Sequence, residues 1–158
     1  MSAGGTARLG ACLFLVIFVS ALAAAANGRG GSPDTGWREP LQRVEPALAR
    51  GDTRGAVQAW EMAYRAAMGG RTPEGMIEVG HAALRMGVAS QNHQAAMAQA
   101  RRLFLAALFQ ARERRDPGTV ARAGEAFASL GDRDVAVRAF EIAATLATQN
   151  AGRGSGGR

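Results

Sequence analysis

The chain reads PGTVARAGEAFASLGDRDVAVRAFEIAATLAT over residues 117–148, and this stretch carries the signals of two consecutive helices. Asp116 and Pro117 form a helix start, because an acidic cap is followed by a residue whose missing N–H costs nothing there. Gly131 is a natural left-handed stop, and Asp132 can cap the helix that follows. We therefore predict a helical hairpin over this range.

A short pattern from this hairpin recurs at two earlier places in the chain. A Gly is followed by an Ala, by an aromatic residue four positions after that Ala, and by a second Ala three positions further. The three occurrences are Gly51, Ala56, Trp60 and Ala63; Gly87, Ala100, Phe104 and Ala107; and Gly131, Ala136, Phe140 and Ala143. Small residues let two helices approach while the aromatic fills the gap, so the pattern predicts three stacked hairpins.

The other two hairpins differ from the third in ways that the sequence shows. The second hairpin begins at Thr72–Pro73. Gly87, its predicted helix stop, is separated from Ala100, the next Ala of the pattern, by a longer interval than the one that follows Gly51 or Gly131. We interpret the extra residues as one continuous helix over 91–115, about two turns longer than its counterparts. In the first hairpin, Pro46 removes a hydrogen bond, so we expect a short or kinked helix there.

Together the three units resemble the tetratricopeptide repeat family, with Sel1-like repeats as a close alternative. The match covers roughly residues 37–148 and is best in the third unit, where Gly124, Phe127 and Gly131 fall at the family's spacing. The resemblance implies an all-α fold, an α-solenoid of about three repeats, whose inner groove binds a protein or peptide.

The same resemblance assigns the groove to the outward residues of each hairpin's first helix. The first unit supplies Arg38, Leu41 and Glu45. The candidate partner-binding residues of the other two units are Glu74, Glu78, His81, Arg85, Arg122, Glu125 and Ser129. The alternative is a solvated face whose charged pairs only stabilise the helices.

A second apolar stripe is predicted on the last helix, over about 133–148. It consists of Val135, Ala139, Ile142 and Leu146. Repeat arrays usually end in a helix with a polar outer face, so we expect this stripe to pair with a second copy, forming a homodimer, or with a partner's helix. The alternative is that the N-terminal linker folds back over it.

The N-terminal residues 1–26 have the three parts of a secretory signal peptide, with cleavage expected after Ala26. The alternatives are an uncleaved membrane anchor over 9–26 and a lipobox ending at Cys12, which stands on the wrong side of the apolar core. Gly-rich composition predicts a flexible linker over 27–36 and a disordered tail over 149–158.

Composition limits the function. The net charge is +6, and all 19 basic residues are Arg. They are scattered among acids, which argues against nucleic-acid binding. The two histidines, His81 and His93, lie in different predicted helices, and no catalytic, metal or cofactor motif is present. We expect a periplasmic or secreted adaptor rather than an enzyme. The alternatives are a structural envelope component, a membrane-anchored assembly factor or a small enzyme.

Overall fold

The fold is known from a computed structural model, which describes residues 35–155. Within that range the fold is all-α, as predicted: the helices are joined by short turns, and no β-strand forms. The helices are α1 (Arg38–Gln42), α2 (Val44–Ala49), α3 (Thr53–Gly69), α4 (Pro73–Ala89), α5 (His93–Glu113), α6 (Pro117–Ser129) and α7 (Arg133–Ser155).

These helices pack in chain order as three successive hairpins. The first pairs α1 and α2 with α3, the second pairs α4 with α5, and the third pairs α6 with α7. Between hairpins, α3 packs on α4 and α5 packs on α6. The first helices also contact one another, since α4 touches α1, α2 and α6. The first helices therefore share one side of the molecule.

The five connections from α2 to α7 use the same three-residue turn. In each, the N–H of the third residue donates to a carbonyl five residues earlier, as from Asp132 to Phe127 at 3.0 Å. The middle residues have positive φ and are Gly51, Arg71, Gln91, Arg115 and Gly131. This is the hydrogen-bond pattern of a Schellman motif, which requires a left-handed residue. The predicted stop at Gly131 is confirmed.

Gly87 is not a stop, in contrast to the prediction. Helix α4 continues to Ala89, and the turn residue is Gln91. A Cβ on Gly87 would lie 2.2 Å from the Cβ of Ala96, so glycine is needed here for the close approach of α4 and α5. The helix expected over 91–115 is continuous but begins at His93. Its 21 residues exceed the 17 of α3 but not the 23 of α7.

The first helix is interrupted, as its proline predicted. Pro46 cannot donate to the carbonyl of Gln42, and the break between α1 and α2 falls at Arg43, the next residue. The N–H of Ala47 then bonds to the carbonyl of Arg43 at 3.2 Å, which starts the second segment. The break is thus the direct consequence of one missing donor.

Phe104 is the centre of the core and is completely buried. A Cβ on Gly80 would lie 2.4 Å from its ring, so the glycine makes room for the aromatic within the second hairpin. On its other side, the ring meets Phe127 of the third hairpin edge to face, with centroids 6.0 Å apart. Phe104 fills the gap within its own hairpin, as the repeated pattern predicted, and it also contacts the next hairpin.

The last helix is longer than predicted. It runs to Ser155, so residues 149–155 are helical rather than part of a disordered tail. Arg115 explains the extension: its Nη2 donates to Gln149 at 2.6 Å, and its carbonyl accepts from Asn150 at 3.1 Å. The predicted signal segment and nearly all of the predicted linker lie outside the described residues. No helix within 35–155 has the length and apolar character to cross a membrane.

The apolar edge of α7 also differs from the prediction. Ala139 and Leu146 are buried in the core, and Ile142 packs partly against it. Of the predicted stripe, only Val135 is exposed, whereas Val137 and Phe140 expose 57% and 41% of their surfaces. The stripe on the surface of α7 is therefore rotated around the helix from the predicted one.

Candidate functional site

A groove of about 350 Å³ runs across the first helices of the three hairpins. The turn before α1, together with α1, α2, α4 and α6, supplies its lining, which consists of Trp37, Arg38, Leu41, Gln42, Glu45, Glu74, Glu78, Arg85 and Arg122. Four of the seven candidate residues of the second and third units line this groove, as do all three from the first unit. Their common position follows from the contacts among the first helices.

Charges in the groove pair between hairpins rather than within a helix. Arg85 of α4 donates from Nε to Glu45 of α2, and Arg122 of α6 donates from Nη2 to Glu78 of α4 at 2.7 Å. Both pairs are partly exposed, and such pairs contribute about 0–1 kcal/mol each. Both pairs connect neighbouring hairpins along the groove but add little to the stability of the fold.

Two charged groups in the groove lack an oppositely charged partner among the described residues. Arg38 lies over the Trp37 ring, with its guanidinium carbon 4.6 Å from the centroid, and makes no ion pair there. Glu74 accepts a hydrogen bond from the hydroxyl of Thr119 at 3.0 Å but has no cation partner. A ligand with separated positive and negative groups can therefore add new ion pairs here without breaking existing ones.

Trp37 forms the apolar floor at one end of this groove. It is buried, and a Cβ on Gly75 would lie 2.8 Å from its ring, so tryptophan and glycine fit together across α1 and α4. Sequence reasoning missed Trp37 because the candidate residues of the first unit began at Arg38, the next residue. An aromatic facing a glycine in the next hairpin is the signal that could have found it.

His81 does not line the groove, although it lies on the predicted stripe. Its ring turns inward against Phe104, with centroids 5.0 Å apart. Burial lowers the pKa of His81 below 6.5, with Glu78 acting in the opposite direction and Arg85 and Arg122 lowering it further. His81 therefore acts as a neutral packing residue under the groove.

Glu125 and Ser129 are exposed but lie outside the groove. The Ser129 hydroxyl donates to the carbonyl of Ala126 at 2.7 Å, so it closes the end of α6. The groove is therefore concentrated over the first two hairpins and extends to the third only through Arg122.

Asp132, which was predicted to cap the last helix, uses its carboxylate for a different contact among the described residues. Its carboxylate accepts two hydrogen bonds from Arg101 of α5, from Nε at 2.6 Å and from Nη2 at 2.8 Å. These bonds lower the pKa of Asp132, against a small opposing effect of burial. Asp116 is the cap that was predicted, since it accepts from the N–H of Thr119 at 3.1 Å.

Burial opposes ionisation of Asp116, but hydrogen bonds from Thr119, whose N–H donates to the carboxylate, and from the N–H of Gly118, together with the charge of Arg114, lower its pKa overall. Among the described residues, no three His, Cys, Asp or Glu side chains come together to hold a metal ion.

No protein-family model matches the chain, and no curated protein is significantly similar to it.

Proposed function

We propose that this chain is an exported adaptor of tetratricopeptide-like α-solenoid architecture that binds a protein or peptide in the groove across its first helices. The observation that carries the proposal is the groove itself. It spans three hairpins, has a mixed lining of three Arg and three Glu around Trp37 and Leu41, and opens to solvent. Solenoids of stacked helical repeats use such shared faces as extended binding surfaces.

The lining suggests the chemistry of the ligand. Arg38 can bind a carboxylate of the ligand through a bidentate pair of hydrogen bonds. Glu74, on α4 in the same groove, can bind a positively charged group of the ligand. Leu41, which is half-buried beside Trp37, offers apolar area for one side chain. An extended peptide that carries an acidic and a basic residue on either side of an apolar one fits this arrangement.

Export belongs to the same proposal. Its support is the three-part composition of residues 1–26, with a charged start, an apolar middle and a run of Ala before Asn27. Mass spectrometry of the protein accumulated by cells tests it directly. A mature N-terminus at Asn27 is the expected result, and an intact N-terminus would favour a membrane anchor instead.

Chemical crosslinking in the native envelope, followed by pull-down, tests binding. We compare the wild-type protein with Arg38→Ala and Arg43→Ala, which remove exposed arginines at neighbouring positions of the same hairpin. Only Arg38 lines the groove, whereas Arg43 lies on the outer surface beside Glu39. We expect one partner whose recovery falls with Arg38→Ala and stays unchanged with Arg43→Ala. Equal recovery in all three would contradict the proposal.

A further inference from the structure

The outer face of α7 carries an exposed stripe that nothing in the described chain covers. It consists of Val137, Phe140, Ala144, Ala147 and Ala151. These residues alternate at spacings of three and four, so they follow one line along about 21 Å of helix. This surface, which we call the α7 stripe, is the longest run of exposed apolar residues on any described helix.

The internal repeat shows what this surface is built to contact. Phe140 and Phe104 occupy the same place in the repeated pattern, and Ala144 and Ala147 correspond to Leu108 and Ala111. On α5, all three positions are buried, and α6 packs beside them through Phe127. On α7, the same three positions are exposed. The α7 stripe is therefore a helix-docking face without its helix.

The distribution of side-chain size along the stripe indicates which helix fits. Val137 and Phe140 form a bulky half, and the three alanines form a small half. If a second α7 lies antiparallel, the bulky half of each copy meets the small half of the other. A parallel pair would oppose Phe140 to Phe140 and alanine to alanine, which leaves gaps.

The first hairpin of a second copy is a poor partner for the same face. The outer groove of the first hairpin carries Glu39, Arg43, Arg50 and Asp52. Head-to-tail stacking would bring these charges toward the apolar stripe, where burying them is unfavourable. A contact with two-fold symmetry does not bury these charges. It also occupies the α7 stripe of both copies, so the assembly stops at two chains.

We propose that two copies of this chain associate through an antiparallel contact between their α7 stripes. The dimer leaves the groove of each copy free, because the groove lies on the first helices and the stripe on the last. A contact of only three to four turns is small for a stable dimer, so we expect a dissociation constant in the micromolar range.

Sedimentation velocity of the purified protein tests the association with a matched pair of variants. Ala144→Lys adds a charge to the middle of the stripe, and Thr145→Lys adds the same charge one residue away, on a different exposed face of α7. In an antiparallel dimer, the first change brings two like charges together, so we expect at least about tenfold weaker association. Thr145→Lys should dimerise like the wild type. Helix content, measured by circular dichroism, should be the same in all three.

Two outcomes overturn the proposal. One is a wild-type protein that remains monomeric at concentrations around 1 mM, well above the expected dissociation constant. The other is an Ala144→Lys variant that associates as strongly as Thr145→Lys, which would place any dimer contact elsewhere, for example at the exposed Leu105 and Phe109 of α5.

Orientation is tested by single cysteines in a chain whose Cys12 is absent or replaced by Ser. A short bismaleimide should join two copies through Ala144→Cys, which lies near the two-fold axis. It should not join them through Ala151→Cys, because those sites lie about 20 Å apart in an antiparallel pair. Crosslinking at both sites would show a parallel arrangement and contradict the proposal.

Discussion

Single glycines set the distance between helices in this fold. Gly80 and Gly87 both lie inside α4, where a Cβ would come 2.4 Å from the Phe104 ring and 2.2 Å from the Cβ of Ala96. At Gly69, near the end of α3, no atom would lie within 4 Å of an added Cβ. The first two glycines therefore serve packing, and the third does not.

We predict opposite effects of alanine at these sites. Gly80→Ala forces the buried Phe104 ring to shift and should lower the free energy of unfolding by about 1–3 kcal/mol. Gly69→Ala should leave it unchanged or raise it by up to about 1 kcal/mol, because alanine favours a helix over glycine. Urea denaturation measures both, and equal effects would contradict the packing argument.

His81 should make stability depend on pH near neutrality. Its pKa is below 6.5 in the folded protein because of burial, so the unfolded chain takes up a proton more readily. The stabilisation from neutral His81 is therefore present above about pH 6.5 and is lost as the pH falls through the folded-state pKa.

His81→Phe keeps a ring against Phe104 and removes the titration. Thermal unfolding between about pH 7 and pH 5 should show a decline for the wild type and a smaller decline for the variant. Parallel curves would show that other groups cause the pH dependence.

At the scale of elements, sequence signals identified the helix starts better than the helix ends. Proline after a capping residue placed the starts of α4 and α6 correctly. The end of α4 was wrong because Gly87 looks like a stop while Gln91, which is the true left-handed residue, carries no such signal. The end of α7 was wrong because Gly and Arg suggested a tail, and the bonds from Arg115 to Gln149 and Asn150 are visible only in three dimensions.

The turn at Gln91 offers a test at this scale. A non-glycine residue in the left-handed region costs roughly 1–2 kcal/mol, and glycine avoids most of that cost. We predict that Gln91→Gly raises the free energy of unfolding by about 0.5–1 kcal/mol. Gly131→Ala, at the equivalent turn, should lower it by a similar amount. Chemical denaturation of both variants provides the measurement, and a destabilising Gln91→Gly would contradict the turn assignment.

At the scale of the whole molecule, the family resemblance suggested a groove on the first helices, but helical spacing did not fix the rotation of every side chain. Glu74, Glu78, Arg85 and Arg122 line one groove. His81 shares the spacing of the α4 residues and yet turns inward, where its ring packs against Phe104. The stripe on α7 was displaced for a related reason, since Ala139 and Leu146 fit the core as well as Ala136 and Ala143 do.

The proposed adaptor role predicts contact with a partner at one face only. A photoreactive amino acid in place of Leu41 lies in the groove, and one in place of Gln58 lies on the outer surface of the first hairpin. The most direct measurement is irradiation of each variant in the native envelope. A discrete crosslinked product from position 41 alone is the predicted result. No product above background, or the same product from both positions, would contradict the account.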